Sequence, residues 1–263
     1  MLRKKDILMD KQVKDFWSTQ KKSACPDDLA RDLSIETILK YLSKGAEMID
    51  IGCGNGYCTY QFANTEIAKI IGVDFSEDMI KNANEAKKIY PLNIKRKIDF
   101  KKGDIRSLEF DNGSKDIVVT IRCLINVPML EDKERAINEI MRVLKIGGLY
   151  LMCENTLQGL SLLNSLRQEF ELPLIKARWH NSYLDEEWLN NVIKANFEVL
   201  KVEHFASLYY LISRVVYAKF CSIESEEPDY NHPLNKISKK LCSMLEPYGE
   251  FSPMRLYVLR KKC

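Results

Sequence analysis

The sequence predicts an α/β fold in which a mostly parallel β-sheet carries helices on both faces. Three observations predict it. Short apolar runs alternate with amphipathic helical stretches between residues 46 and 154. A glycine-rich turn, Gly52-Cys53-Gly54-Asn55-Gly56, joins the first of those runs to the helix that follows it. The second and third runs are followed by acidic residues, Asp74 and Asp104.

The elements follow in order. Residues 8–20 read as a helix carrying Val13, Phe16 and Trp17, and Cys-Pro-Asp-Asp at 25–28 as a turn. Leu33, Ile35, Ile38, Leu39 and Leu42 have helical spacing, and Gly45 marks the stop. Residues 48–51 are then a strand, 57–64 a helix, 69–74 a strand and 76–88 a helix opened by Ser76. Strands follow at 97–102 and 116–121, an amphipathic helix at 131–144, a glycine stop at Gly147-Gly148 and a strand at 149–153. Beyond that, 158–171 and 185–196 look helical and 197–206 and 252–260 extended. The stretch 207–250 reads as one or two helices around a charged loop from Glu224 to Tyr230.

Bulk properties narrow the class. With 263 residues, 46% hydrophobic and 29% charged, the chain can bury a core as one elaborated domain and is not of disordered type. A net charge of +3, with scattered lysines, argues against a dedicated nucleic-acid binder. No long apolar run follows the basic Met1–Lys5 segment, so neither a leader nor a membrane span is expected. Eight cysteines without a CxxC pair suggest free thiols in a reducing cytoplasm and no metal site.

The glycine turn is of nucleotide-site type, because glycines let the backbone approach a ligand. Its Gly52-x-Gly54-x-Gly56 spacing is neither the dinucleotide fingerprint nor a P-loop. Asp74, 18 residues beyond Gly56, ends the second strand, where a carboxylate meets ribose hydroxyls. The other reading of Asp74 is a helix N-cap, a role that suits Ser76 better. Asp104, in Gly103-Asp104-Ile105, can accept from an exocyclic amine or serve as a turn acid.

Taken together these motifs resemble the class I S-adenosylmethionine-dependent methyltransferase core. Asp50–Gly56, Asp74, Gly103-Asp104, Asp116–Asn126 and Leu144–Gly148 match its motifs in order over residues 46–154. The resemblance, to methyltransferases of type 11/12, implies a Rossmann-like three-layer sandwich. Its seven-stranded sheet has the order 3-2-1-4-5-7-6, with the last strand antiparallel at 252–260. It also implies a division of labour: N-terminal helices or lid at 1–45, a cofactor core at 46–154, and completion of the domain at 155–263 with cap insertions near 155–183 and 207–250. The implied cofactor is S-adenosylmethionine, leaving as S-adenosylhomocysteine. Carried over, Gly52, Cys53 and Gly54 lie under its methionine part, and Asp50 supports the loop or the amine. Asp74 holds the ribose, Phe75 and Met79 lie against adenine, and Gly103, Asp104 and Ile105 meet its edge and face. Ile121 and Arg122 close the pocket.

A methyl acceptor belongs beyond the carboxyl ends of the later strands. Trp17, Asn126, Glu154, Asn155, Arg167, Asn181, Tyr183 and Arg214 are the candidates to contact it. His180, in an aromatic-polar cluster, is the candidate general base, with a surface histidine as the plain alternative. Arg122 is the second catalytic candidate; it can pair with an anionic acceptor or form a salt bridge with Glu154. An Arg-Cys-x-Ile-Asn stretch at 122–126, Trp-His-Asn at 179–181 and Phe251–Leu256 resemble bacterial methyltransferases of surface-polysaccharide or sugar-nucleotide pathways. The expected acceptor is therefore a small molecule bearing a hydroxyl, anionic where Arg122 pairs with it. The expected protein is a monomer or homodimer without nucleic acid or membrane partners. An RNA or protein methyltransferase and a non-catalytic cofactor-binding protein are the alternatives. The chain lacks an Asn/Asp-Pro-Pro-Tyr/Phe motif for planar amines, which weakens the first, and its intact glycine turn weakens the second.

Overall fold

The structure, a computed structural model, describes residues 4–19 and 27–262. The chain runs α1 (Lys4–Thr19), α2 (Asp28–Leu39), β1 (Glu47–Ile51), α3 (Tyr57–Ala63), β2 (Lys69–Asp74), α4 (Glu77–Ala86), the short α5 (Leu92–Lys95), β3 (Ile98–Lys102) and β4 (Lys115–Ile121). It continues through α6 (Leu130–Val143), β5 (Leu144–Asn155), α7 (Leu157–Glu169), α8 (Glu186–Ile193), β6 (Phe197–Glu203), α9 (Ser207–Leu211), α10 (Tyr217–Glu224), α11 (Pro233–Met244) and β7 (Met254–Lys261). The sheet order is β3-β2-β1-β4-β5-β7-β6, with β7 antiparallel to both neighbours.

Strand alternation divides the core into two layers. Met48, Ile70, Ile98, Ile117 and Leu151 pack with Leu33 and Ile38 of α2 and with Tyr60 and Phe62 of α3. Ile49, Ile51, Val118 and Met152 pack with Ala136, Ile137 and Ile140 of α6 and with Leu189 and Ile193 of α8. Strand order reverses between β1 and β4, which sends the chain to opposite sides of the sheet and opens a crevice beyond their carboxyl ends.

Helix starts follow their caps. Asp27 Oδ1 accepts from Ala30 N at 3.0 Å, so Asp27 caps α2; Cys25 and Pro26 of the expected turn lie outside the described residues. Ser76 Oγ accepts from Met79 N at 3.3 Å and caps α4, as its sequence suggests. One boundary departs from expectation. β5 begins at Leu144, before the glycine pair, because Leu144 pairs with Lys115 and the register resumes at Ile117↔Leu149. Gly147, at φ +77°, takes up the irregularity, so the glycines make a kink inside a strand instead of a gap before one.

The stretches expected as insertions are helical in part, the first over α7 alone. The 207–250 stretch forms α9, a π-turn at Ile212–Val216 and α10, then a loop and α11. Asn164 and Arg167 of α7 staple the other insertion. Asn164 exchanges two hydrogen bonds with the backbone of Ile175, each 2.9 Å. Arg167 donates to Pro173 O at 2.8 Å and to Arg214 O.

α7 sits hard against the 252–253 backbone. A Cβ built on Gly159 would lie 2.3 Å from Ser252 O and 2.8 Å from Pro253 Cα. Helix propensity favours alanine there by up to ~1 kcal/mol, but the backbone has nowhere to move, and overpacking of this kind costs about 1–3 kcal/mol. Gly159→Ala is therefore expected to lower the denaturation midpoint. A raised midpoint in urea would show that this contact is wrong.

Candidate active site

One cavity of about 350 Å³ runs from the glycine turn to the helical cap. That is the size of a small-molecule site. The turn forms its floor. Gly52, Gly54 and Gly56 all have positive φ, +76°, +54° and +80°. A Cβ on Gly52 would lie 2.8 Å from Cys123 Sγ, so space as well as conformation reserves that position for glycine. A Cβ on Gly54 would meet no atom within 4 Å, which leaves its backbone bare to the cavity. Gly52 N and Cys53 N both donate to Val73 O, at 2.7 and 3.1 Å, binding the turn to the end of β2.

Asp50, Asp74 and Asp104 line this half, with Asp10 of α1 beside Asp104 and Arg106. Asp50 is 2% exposed and accepts from Thr59 Oγ1 at 2.6 Å. Burial, with Asp74 nearby, raises its pKa to about 7 against the opposing effect of that bond. Asp74 accepts from Gly54 N and Ser76 N, both at 2.9 Å. Burial still holds it above the usual carboxylate range. Asp104 is held below that range: burial would raise it, but hydrogen bonds from Arg106 prevail. The Arg106 fork takes both Asp104 oxygens, at 2.9 and 2.6 Å, and reaches Asp132 at 2.8 Å and Asp10 at 3.2 Å. Sequence reading overlooked Arg106 because its partners are scattered along the chain. Asp104 thus shares its carboxylate with an arginine before any ligand arrives.

Helix α1 closes one side. Asp10 meets Arg106, Lys14 lies 3.6 Å from Asp104, and Trp17 Nε1 donates to Asn126 Oδ1 at 3.1 Å. Phe16 stacks on His180 with centroids 4.4 Å apart, and Trp17 meets the same ring edge-on at 5.5 Å. His180 is 5% exposed, and its Nδ1 has no hydrogen-bond partner among the described residues. Burial first, then Arg178, lowers its pKa, which keeps the ring neutral near pH 7.

Each residue expected at the methyl donor lies on the cavity wall: Asp50, Gly52, Cys53, Gly54, Asp74, Phe75, Met79, Gly103, Asp104, Ile105, Ile121 and Arg122. So do His180, Trp17, Asn126, Asn155, Asn181, Tyr183 and Arg214. Two candidates are corrected. Arg167 is the staple described above, and its side chain is spent on Pro173 and Arg214. Glu154 is completely buried, and its carboxylate accepts from the backbone of Cys123, Leu124 and Ile125, at 2.9, 2.9 and 3.3 Å. Neither is among the cavity-lining residues.

Other lining residues went unread. Asp27 and Tyr230 meet the expected Arg214: it pairs with Asp27 and faces the Tyr209, Tyr210 and Tyr230 rings at 4.7–5.6 Å. Arg31 lies 3.8 Å over the Tyr57 ring, and Lys176 and Arg178 stand at the cap. The cap contributes the apolar Leu160, Leu163 and Ile175. Only folding brings these segments together. Among the described residues no metal-binding cluster occurs, and no helix is long and apolar enough to cross a membrane.

Residues 42–194 match the family described as Methyltransferase domain. The chain belongs to that family. Demethylmenaquinone methyltransferase of Lactococcus lactis is 31% identical over 153 residues, 55% of this chain and 57% of that enzyme. Sterol 24-C-methyltransferase of Candida albicans is 30% identical over 109 residues, 41% of this chain and 28% of the relative. The chain therefore spans about half, or less, of the length of the curated relatives it matches. Among solved structures, a SAM-dependent methyltransferase from Methanosarcina mazei has a TM-score of 0.54 at 20% identity, covering 86% of this chain and 96% of that one. The [4+2]-cyclase SpnF has a TM-score of 0.57 at 20% identity, covering 87% and 79%. These two likenesses concern the fold, which by itself does not fix a reaction.

Two outcomes follow from the site's electrostatics. Arg106→Ala removes the Asp10 link, one of several between α1 and the core, and trypsin cleavage at Lys11–Lys14 should accelerate about tenfold, the worth of a charge-assisted hydrogen bond; an unchanged rate would refute the clasp. Asp50 has a folded pKa of about 7 against an ordinary 3.8. It therefore adds stability that is complete below its ordinary value and is lost as pH rises through 7. Asp50→Asn should flatten part of that decline in urea unfolding between pH 4 and 8.

Proposed function

We propose that the protein transfers a methyl group from S-adenosylmethionine to a hydroxyl of a small molecule: a sugar, a phosphorylated metabolite or a nucleotide-linked precursor. The observation that carries the reading is the continuous cavity at the glycine turn. It joins that turn and the carboxylates of Asp50, Asp74 and Asp104 to a capped half in which a buried histidine has an unsatisfied nitrogen.

The residues present fit the methyl donor. Gly54 leaves room for a ligand against its backbone, and Asp74 ends β2 with both oxygens fixed by backbone N–H groups but retaining acceptor capacity. Asp74 would hold the ribose hydroxyls, with Phe75 and the buried Met79 against the base. When bound, S-adenosylmethionine supplies an electrophilic methyl group on a sulfonium.

The chain's own work is alignment and proton removal. The aromatic cage orients the His180 ring and burial, then Arg178, favours its neutral form, so that it would take the proton of an acceptor hydroxyl as the methyl group leaves the sulfonium sulfur. The cap lowers the local dielectric and excludes water. Arg31 pairs with Asp28 and Asp32 and Arg214 with Asp27, and Arg122, Lys176 and Arg178 line the same cavity; cationic groups at its wall suit an acceptor with phosphate or carboxylate. The demethylmenaquinone, sterol and rifamycin methyltransferases among the relatives have names that specify small molecules. With a roofed cavity and a net charge of only +3, this supports a small acceptor over RNA.

Calorimetry should detect S-adenosylhomocysteine binding to the wild type; its absence would end the proposal. Asp74→Ala should weaken that binding about 100-fold, the loss of two hydrogen bonds to a charged acceptor. Label from methyl-tritiated S-adenosylmethionine should pass to members of a panel of sugar phosphates and nucleotide sugars. With such an acceptor, His180→Ala should slow turnover by roughly 10²–10⁴-fold. An unchanged rate would remove His180 from the mechanism.

A further inference from the structure

The candidate catalytic groups Arg122 and His180 lie 58 residues apart, on segments without regular structure. Arg122 has φ +53°, a left-handed conformation that costs a non-glycine residue about 1–2 kcal/mol. Such a backbone persists only where its surroundings overdetermine it.

The surroundings are two buried charges. Glu154, at the end of β5, takes the N–H groups of Cys123, Leu124 and Ile125 into its carboxylate, while Arg122 N donates to Cys153 O at 2.8 Å. One side chain thus does for this turn what an N-cap does for a helix, with two carboxyl oxygens and three backbone donors. At the far end, Lys133 of α6, also fully buried, donates to Val127 O at 2.6 Å and to Ser182 Oγ at 3.0 Å. Ser182 N in turn donates to Ile125 O at 2.7 Å. The turn at 122–127 and the strip bearing His180, Asn181 and Tyr183 are therefore tied to each other and to this pair.

We infer that Glu154, assisted by Lys133, is a positioning residue: it holds Arg122 in its left-handed conformation and, through Ile125 and Ser182, sets where His180 stands over the cavity. The inference rests on the methyltransferase reading for its functional meaning, but the geometry it predicts can be measured without an acceptor. Neither side chain touches the cavity, so neither is assigned a catalytic contact. A buried carboxylate is costly to keep. Burial raises Glu154 to about 7 despite its donors and lowers Lys133 to about 8, so the pair is retained at a cost to stability.

The experiment uses full-length wild type, Glu154→Gln and, as a destabilised control, Val143→Ala, which truncates the core at the far end of α6. In ¹⁵N-edited spectra, Glu154→Gln should move the Cys123 and Leu124 amide protons upfield. It should also raise the imidazole midpoint of His180 toward that of an ordinary histidine and weaken S-adenosylhomocysteine about tenfold. Val143→Ala should leave all three unchanged. If Glu154→Gln binds as the wild type does and His180 titrates as before, the positioning role is refuted. If the wild type itself fails to bind S-adenosylhomocysteine while the amide and imidazole shifts still move, the methyltransferase reading fails and the positioning geometry stands. Should Glu154→Gln not fold, wild-type hydrogen exchange decides. Cys123 and Leu124 amides should be among the slowest outside the sheet, and exchange at loop rates overturns the proposal.

Discussion

Two turns meet beyond the carboxyl ends of β1 and β4, and the absence of a side chain at Gly52 sets their separation. Cys123 Sγ occupies the space that a Cβ at Gly52 would need. This approach brings the turn after β1 against the turn after β4, where the strand order reverses. The cavity floor, the bare Gly54 backbone and the placement of Arg122 all depend on it. A larger residue at position 52 would push the β4 turn outward and carry with it the strip bearing His180, because Ser182 N is bonded to Ile125 O.

The site uses buried charge in two different ways. Asp104 and Arg106 form a partly exposed cluster with Asp10, Lys14 and Asp132 that ties a separate helix to the core. Salt and solvent weaken such links. Glu154 and Lys133 are sealed off, with every described partner in the backbone or a neighbouring hydroxyl. Removing one partner there leaves an uncompensated charge, so this part of the site is rigid.

Much of the fold was legible because local signals agreed with one another. The alternation of strands and helices, Ser76 as a cap and the spacing of Ile137 and Ile140 on α6 each point to the observed element. The β5 start was misread because Gly147-Gly148 has the composition of a helix stop, whereas pairing with Lys115 extends the strand past it. Glu154 and Arg167 were read as ligand contacts since a polar residue at a strand end or in an insertion looks functional. Their partners are backbone groups of segments far away in the chain, which no local pattern announces.

The sequence alone determined the order of elements and the residues that line the glycine-turn end of the cavity. Those residues follow consecutive strands at characteristic short distances, so their chemistry is written in local spacing. The tertiary structure decided the rest. It placed Phe16, Trp17 and His180 in one stack, paired Arg214 with Asp27, and assigned Glu154 to the backbone and not to a ligand. Each of these depends on loop closure across tens to hundreds of residues, and the energy that drives closure comes from the burial of the whole core. The glycine turn could be read from its own seven residues, Asp50 to Gly56, but the cap exists only once the sheet beneath it is complete.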